Sequence, residues 1–498
     1  MTKEEKLQKY KDWEFRMSAY HMAIEIISID AHTVAPKGGS TYRDERTAYL
    51  AGELFSIETE KEMLDILKEL KDDPSLEYAD QRAMKLYYKQ VMDTVCIPKE
   101  EFVAFTQLQA ESYNIWLEAK QTKNYALYAP ALKKIIETKK KFYGYRNSSM
   151  NTYDQMLDDF EPGMTQEKYD IFFEQIKERL VPLLHKIQQA EQIDDSFLFA
   201  EYPVEEQKKF MVELLEYLHF DPEWGYQNES EHPFTSFTCE NDCRTTTKYL
   251  KDNVVSAILS TVHEVGHAYY EHNCDPAFDG NILSEGISCG LHESQSRLCE
   301  NYLGRTLAFW KYNFPRLQKH FPQQLSGITL EQFVNAMNVV KASLVRTEAD
   351  ELTYPLHILV RYEIEKGLFN GTIGTDHLDE VWADMYEKYL GVRPQDASVG
   401  ILQDVHWSSG DFGYFPTYAL GSAFAAQFMD TMRKDIDVDD LLENNHYDTC
   451  IAWLKEHIHT YGFLYNGDEL VGKVTGKPFD VEYYLQYLEE KYSKLYNL

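Results

Sequence analysis

The sequence predicts a mainly α-helical protein. Apolar and charged residues alternate at a spacing of three to four over long stretches with few glycines or prolines, which is the pattern of amphipathic helices. These stretches are 60–93, 101–144, 166–191, 204–218 and 329–368. Strand patterns are scarce, and the two short candidates, 225–250 and 408–418, are rich in aromatic residues, threonine and glycine. They predict a small sheet or ordered loops near a functional site.

Clusters of turn-forming residues separate the helical stretches. They lie at 36–39, 73–74, 161–163, 221–222, 371–374 and 391–394. The sequence contains no repeat and no low-complexity tract. We therefore expect one unit over residues 1–498, in which residues 1–110 form an N-terminal helical layer.

Composition restricts the class of protein and its surroundings. The chain has 498 residues, of which 44% are hydrophobic, enough for a large core. Its 50 basic and 82 acidic residues give a net charge of −32, which repels phosphate backbones and argues against nucleic acid as a partner. No 18-residue apolar run predicts a membrane span, and the charged N-terminus does not resemble a secretory signal. Seven scattered cysteines are typical of free thiols, so we expect a cytoplasmic protein.

One segment, 252–276, predicts a helix with a buried face and a polar face. Its apolar stripe follows helical spacing through Val254, Ile258, Val262, Val265 and Tyr269. Asp252 and Asn253 are candidate N-terminal caps, and Asn273, Cys274 and Pro276 end the segment. Two histidines fall beside the stripe, which suits the wall of a cleft.

These histidines belong to the pattern His263-Glu264-Val265-Gly266-His267. On a helix, residues four apart differ by about 40° around the axis and about 6 Å along it. His263 and His267 can therefore bind one metal ion, while the Glu264 carboxylate can take a proton from a water that the metal activates.

A catalytic zinc site needs a third protein ligand, and several downstream glutamates are candidates. Glu271 is excluded because on the same helix it lies about 12 Å further along the axis than His263. Glu293 falls in a predicted second helix, far enough along the chain to turn back toward the first. Glu285 and Glu300 remain alternatives by spacing, although either is more often a surface carboxylate.

Further motifs accompany this pattern in a fixed order. They are His232-Pro233-Phe234, Asp242-Cys243-Arg244-Thr245-Thr246, His292-Glu293-Ser294-Gln295, Val345-Arg346-Thr347-Glu348-Ala349-Asp350 and Gly400-Ile401-Leu402-Gln403-Asp404-Val405-His406-Trp407. Together they resemble the carboxypeptidase Taq family of zinc metallocarboxypeptidases. Near the N-terminus, Asp30, Pro36, Gly38, Gly39 and Arg43 also resemble the family's opening, with Ile29 where a tryptophan is expected. The resemblance extends over about residues 10–425.

The resemblance implies more than the residues alone. It implies a helical fold similar to neurolysin and angiotensin-converting enzyme, with a deep groove between helical lobes, and a homodimer. It implies release of single C-terminal residues from peptides, with broad specificity, by an enzyme that uses zinc or cobalt. It selects Glu293 as the third metal ligand beside His263 and His267, with Glu264 as general base.

Four more residues are candidates for substrate binding. A guanidinium matches a terminal carboxylate bidentately, so Arg346, in a predicted helical segment, is the first choice and Arg244 the competitor. His406 and Tyr414 lie in a glycine-containing segment that predicts a loop close to a ligand, where they would donate to the oxyanion. Tyr418 is as readily interpreted as a core residue.

Two other functions are compatible with the metal motif. A related endo-oligopeptidase needs the same ligands but no cation for a free C-terminus. An inactive scaffold needs the metal but has no use for Glu264, and structural zinc sites close with four protein ligands.

Overall fold

The computed structural model describes residues 1–146, 148–284, 286 and 288–498. Its N-terminal part consists of four helices, α1 (Lys3–Thr33), α2 (Ser40–Glu58), α3 (Lys61–Leu70) and α4 (Tyr78–Val95). These helices share a small core of their own, which is formed by Tyr10, Trp13, Met17, Leu54, Ile57, Met63, Ile66, Leu67, Leu70, Met84 and Tyr87. The larger core begins at Phe105 and includes the remaining helices.

Five helices follow before the sheet. They are α5 (Lys99–Thr122), α6 (Tyr125–Tyr143), α7 (Thr152–Phe160), α8 (Gln166–Gln189) and α9 (Val204–Tyr217). The predicted stretch 101–144 is divided because Lys123 adopts a left-handed conformation with φ of 58° and the Asn124 side chain caps α6. A turn that includes Asp73 and Pro74 divides the stretch 60–93 into α3 and α4.

The predicted strand segment 225–250 forms a three-stranded sheet. Its strands are β1 (Gly225–Glu229), β2 (Thr235–Cys239) and β3 (Asp242–Thr247), in the order β1-β3-β2. β1 runs parallel to β3, with Gly225 opposite Cys243, and β2 runs antiparallel to β3, with Thr235 opposite Thr245. The sheet packs against the next helix of the chain, which carries the two histidines.

The central helices come next. They are α10 (Val254–His272), α11 (Cys289–Arg297), α12 (Leu307–His320), α13 (Pro322–Leu325) and α14 (Leu330–Met337), with a π-helical turn over Leu298–Gly304 after α11. The C-terminal part contains α15 (Tyr354–Asn370), α16 (Leu378–Leu390), α17 (His406–Ser409), α18 (Pro416–Asp435), α19 (Val438–Glu443), α20 (Tyr447–His457), α21 (Gly467–Thr475) and α22 (Glu482–Tyr496). The prediction of a mainly helical fold with a small sheet beside the site is confirmed.

One local prediction was wrong, and a second is decided between its two alternatives. The stretch 329–368 is not one helix, because residues between α14 and α15 are irregular except for a short 3₁₀ turn at Arg346–Glu348. Of the two alternatives for 408–418, a strand or an ordered loop, the structure has the loop, which joins α17 to α18 with Gly410 and Gly413 at positive φ of 80° and 88°. Within the described residues, no helix combines the length and the hydropathy needed to cross a bilayer.

Candidate metal centre and active site

Helix α10 presents its two histidines beside a buried stripe. The Asn253 side chain accepts a hydrogen bond from the backbone N–H of Ser256 and caps the helix, as its position predicts. All five residues of the predicted apolar stripe are buried. His263 and His267 are half-buried on the adjacent face, four residues apart, with their ring centroids 4.9 Å from each other.

Helix α11 carries Glu293 and lies in close contact with α10. The N-terminus of α11 is capped by Ser288. At the contact, a Cβ atom on Gly266 would lie 2.8 Å from Cα of Ser296 and 2.9 Å from the carbonyl oxygen of Gln295. The glycine of the histidine motif therefore permits a backbone approach that any larger residue would prevent.

His263, His267 and Glu293 converge on one point. The Glu293 Oε2 atom lies 3.7 Å from Nε2 of His263 and 3.6 Å from Nε2 of His267. Ligand atoms of the three residues all lie within 4.8 Å of one another. Two imidazole nitrogens and one carboxylate oxygen are a donor set that suits a divalent transition metal in a catalytic site.

The electrostatics of His267 and Glu293 favour the protonation states that metal binding requires. Burial and the neighbouring His292 lower the pKa of His267 to about 3, so that its imidazole is neutral. Burial alone would raise the pKa of Glu293, but Arg297 and His263 bring it well below its ordinary value and keep the carboxylate ionised. Burial also works to lower the pKa of His263, yet Glu293 and Glu300 raise it overall.

Glu264 is placed beside this cluster by the sheet. Thr235, on β2, donates its hydroxyl to the Glu264 Oε2 atom at 2.7 Å and to the Glu264 backbone carbonyl at 2.9 Å. The side chain is 7% exposed, and burial raises the pKa of its carboxyl above the ordinary value. One oxygen of the Glu264 carboxylate is therefore held by Thr235, and the other can accept a proton.

The alternative third ligands have different positions. Glu300 is buried, so its interpretation as a surface carboxylate was wrong: its Oε2 atom lies 3.0 Å from Nδ1 of His263. Arg297 and Arg305 donate to the same carboxylate at 3.1 and 3.0 Å. Glu271 does not join the cluster of His263, His267 and Glu293. Glu285 lies outside the described residues.

Arg346 lies in a short turn and not in the helix that its sequence context predicts. Its guanidinium donates to Oδ1 of Asp404 at 3.0 and 3.2 Å, and Arg361 donates to Oδ2 of the same carboxylate at 2.5 and 2.8 Å. Two buried guanidinium groups thus share one carboxylate. The cluster carries one positive charge in excess.

A chain of contacts joins Arg346 to the metal cluster. Arg346 donates to the Tyr354 hydroxyl at 3.1 Å, and the Arg297 guanidinium lies over the Tyr354 ring at 4.5 Å. Arg297 in turn donates to Oε1 of Glu293 at 2.7 Å. The excess charge is therefore two side chains away from the candidate metal ligand.

His406 lies near the charged cluster of Arg346, Arg361 and Asp404, and Tyr414 packs against the His406 ring. Their rings stack with centroids 5.5 Å apart, and the Tyr414 hydroxyl accepts a hydrogen bond from Tyr418 at 3.3 Å. Burial lowers the pKa of His406 to about 4, so its ring is neutral at pH 7. Its buried Nδ1 atom has no hydrogen-bond partner among the described residues.

Arg244 is paired with a carboxylate of its own on the sheet. On β3, its guanidinium donates to both oxygens of Asp242 at 2.7 Å, so that one carboxylate neutralises one arginine. The sequence analysis did not single out Arg361, Arg297 or Thr235. No local pattern distinguishes these residues, because their positions depend on packing between distant elements.

Comparison with known proteins shows the family of the chain. A family model described as carboxypeptidase Taq (M32) metallopeptidase matches residues 9–492. The chain belongs to this family. Carboxypeptidase 1 of Bacillus subtilis is 39% identical over 488 residues, which cover 97% of each chain. Thermostable carboxypeptidase 1 of Thermus thermophilus is 35% identical and covers 100% of both chains.

Solved structures agree with this assignment. The M32 carboxypeptidase from Deinococcus radiodurans R1 has a TM-score of 0.96 at 30% identity, covering 99% of this chain and 100% of that one. The resemblance drawn from the motifs is confirmed, and the chain is a metal-dependent carboxypeptidase. A carboxypeptidase Taq enzyme requires a divalent metal, and the cluster of His263, His267 and Glu293 fits one.

Proposed function

We propose that this enzyme is a zinc carboxypeptidase that releases single C-terminal amino acids from peptides with broad specificity. In this proposal His263, His267 and Glu293 are the metal ligands and Glu264 is the general base. The choice of zinc is supported by two imidazole nitrogens and one carboxylate oxygen, a set that leaves a fourth position for water. When bound, such a metal supplies Lewis acidity that polarises the scissile carbonyl and lowers the pKa of a water molecule.

The environment of Glu264 supports its role as base. Thr235 donates to one carboxylate oxygen at 2.7 Å, and the other oxygen would take the proton. Burial raises the pKa of Glu264, and a base whose pKa is closer to neutrality transfers the proton more readily to the leaving amine.

The observation that favours an exopeptidase is the excess positive charge at Arg346. Because Asp404 neutralises only one of its two arginines, a substrate's terminal carboxylate would supply the missing negative charge in a buried setting. Arg244 has its own carboxylate and is the weaker candidate. His406 and Tyr414 would bind the substrate beside Arg346, with the Tyr414 hydroxyl hydrogen available for the oxyanion.

The wider setting of the enzyme is also proposed. We place it in the cytoplasm as a homodimer that acts on peptides, with cobalt as an alternative metal. The family resemblance supports the dimer and the broad specificity, and the scattered free cysteines support the compartment.

Product identification tests the proposal. One long peptide, with a free or an amidated C-terminus, is incubated with the zinc-loaded enzyme, and the products are identified by mass spectrometry. We expect stepwise loss of single residues from the free acid and little cleavage of the amide. Internal cleavage of both peptides would instead identify an endo-oligopeptidase.

A further inference from the structure

The two histidines of the metal cluster are held in different ways at their outer nitrogens. Nδ1 of His263 contacts a carboxylate directly, that of Glu300 at 3.0 Å. Nδ1 of His267 instead contacts a second imidazole, that of His292, whose Nδ1 atom lies 2.5 Å away. The other nitrogen of His292, Nε2, lies 2.5 Å from Oε1 of Glu271. His267 thus reaches a carboxylate only through His292.

Hydrogen-bond chemistry gives this series one direction. Nε2 of His267 faces Glu293, and it needs a free lone pair to bind a metal, so the ring hydrogen of His267 is on Nδ1. That N–H donates to Nδ1 of His292, which must therefore carry a lone pair. The hydrogen of His292 is then on Nε2 and donates to Glu271. Every donor in the series has one acceptor.

Packing around the series fixes its geometry. The His292 ring lies 4.5 Å from that of His267 and 5.2 Å from that of Tyr270. A Cβ atom at Gly286 would lie 2.1 Å from the His292 ring, so the glycine leaves room for the imidazole. The ring has little freedom to turn.

Among the described residues, the Glu271 carboxylate is hydrogen-bonded to His292 alone. The side chain is 4% exposed, and its Oε2 atom has no hydrogen-bond partner in the described part of the chain. A buried carboxylate with one partner is costly for stability. Its single contact with His292 therefore accounts for its position better than a contribution to folding does.

We infer that His292 and Glu271 are positioning residues that hold the ring of His267, and the hydrogen on its Nδ1, in the state that binds metal. The inference rests on the proposed function, in which His267 is a ligand. Outer-shell partners of this kind typically change metal affinity 10- to 100-fold. Their removal should therefore weaken binding of the metal without unfolding the metal-free protein.

Two amide substitutions at residue 292 separate the two halves of the series. In His292→Asn, the amide oxygen takes the place of Nδ1 and still accepts from His267, although the side chain no longer reaches Glu271. In His292→Gln, the amide nitrogen takes the place of Nε2 and still reaches Glu271, but no acceptor stands at Nδ1. In Glu271→Ala, the hydrogen of His292 is free to move to Nδ1, which removes the acceptor that His267 needs.

His459 provides a matched control. It is fully buried, its ring also lies 5.2 Å from that of Tyr270, and it is hydrogen-bonded to Gln295 and Asn273 instead of His267. His459→Gln thus removes an imidazole that also packs against Tyr270 but lies outside the series. Any loss common to His459→Gln and the His292 variants is structural.

The experiment measures the affinity of each full-length variant for Zn²⁺ by competition with a chelator, with the thermal midpoint of the metal-free protein measured in parallel. We expect His292→Gln and Glu271→Ala to bind about 10- to 100-fold more weakly than the wild type, and His292→Asn and His459→Gln to remain within about threefold. Wild-type affinity in His292→Gln and Glu271→Ala, or an equal loss in His459→Gln, would overturn the inference. Unchanged affinity in His267→Ala would instead overturn the metal site itself.

Discussion

Recognition of a free C-terminus depends, at the scale of single residues, on Arg346. Arg346→Ala should lose on the order of 2–4 kcal/mol of transition-state binding on free-acid peptides, or about 30- to 1,000-fold in kcat/KM, and little on amidated ones. Asp404 does not become an unpaired buried charge in this variant, because Arg361 still donates to it. Arg346→Lys should recover part of the loss, since a point charge cannot replace a bidentate pair.

Arg244→Ala is the matched control for this prediction, because its guanidinium is paired with Asp242 alone. Steady-state kinetics on one peptide in both terminal forms measure the two variants side by side. If Arg244→Ala loses activity selectively on the free acid and Arg346→Ala does not, the carboxylate pocket has been assigned to the wrong arginine.

The third metal ligand gives a second prediction at this scale. Glu293→Ala should weaken zinc affinity most, because it removes a ligand atom from the cluster. Glu300→Ala should weaken it less, since Glu300 contacts the outer nitrogen of His263. Glu285→Ala should have little effect. Chelator competition ranks the three variants, and equal sensitivity in all of them would refute the choice of Glu293.

The sequence predicts the positions of some of these residues better than those of others. His263, Glu264 and His267 can be placed from spacing alone, because they lie on one helix whose periodicity is known. Glu293 needs the family resemblance, since spacing leaves Glu285 and Glu300 open. The contact between Glu300 and His263, and that between His292 and Glu271, join side chains of different helices. No local pattern encodes such contacts.

At the scale of elements, the close contact of α10 and α11 determines where Glu293 lies. Gly266→Ala should force the helices apart, because the added Cβ meets the backbone of Gln295 and Ser296 within 3 Å. We expect a loss of about 1–3 kcal/mol in the free energy of unfolding together with weaker zinc binding. Thermal unfolding of the metal-free form and chelator competition measure the two effects.

Gly52 on α2 is the control for this substitution. A Cβ atom at Gly52 meets nothing within 4 Å, and the residue is exposed. Gly52→Ala should leave zinc affinity unchanged and raise stability by up to about 1 kcal/mol, since alanine favours the helix. An equally stable, fully metal-binding Gly266→Ala would contradict the role of the glycine.

The hydrogen bonds of Asp350 explain why the stretch 329–368 is not a single helix. The Asp350 side chain accepts hydrogen bonds from the backbone N–H groups of Lys341, Leu352 and Thr353, which replaces helical hydrogen bonds in this segment. The apolar spacing of 329–368 continues through the interruption, so periodicity alone does not reveal it. Aromatic and glycine content left a strand and a loop open for 408–418, where two glycines at positive φ form a turn.

For the whole molecule, buried carboxyl groups predict how stability depends on pH. Burial raises the pKa of Glu161 to about 8 and that of Glu365 to about 7. A carboxyl with a raised pKa in the folded state favours folding at low pH, and this contribution is lost as pH rises through the folded-state pKa. The contribution of Glu161 and Glu365 to stability should therefore fall between about pH 4.5 and pH 8.

Glu161→Gln tests this dependence, because an amide oxygen can still accept from the Gly290 N–H, which Glu161 Oε2 contacts at 3.0 Å. The variant should gain thermal stability over the wild type above pH 8 and show no gain near pH 4.5, when both proteins are metal-free. The exposed Glu178 supplies the control variant Glu178→Gln. A gain that is the same at both pH values would contradict the prediction.

The most direct test of the whole account separates the metal from the base. Glu264→Gln and His267→Ala are prepared with zinc, and turnover and metal content are measured on the same samples. Glu264→Gln should keep about one metal per chain and lose about 10²- to 10⁴-fold in kcat, whereas His267→Ala should lose the metal. Near-normal turnover in metal-loaded Glu264→Gln would contradict the mechanism.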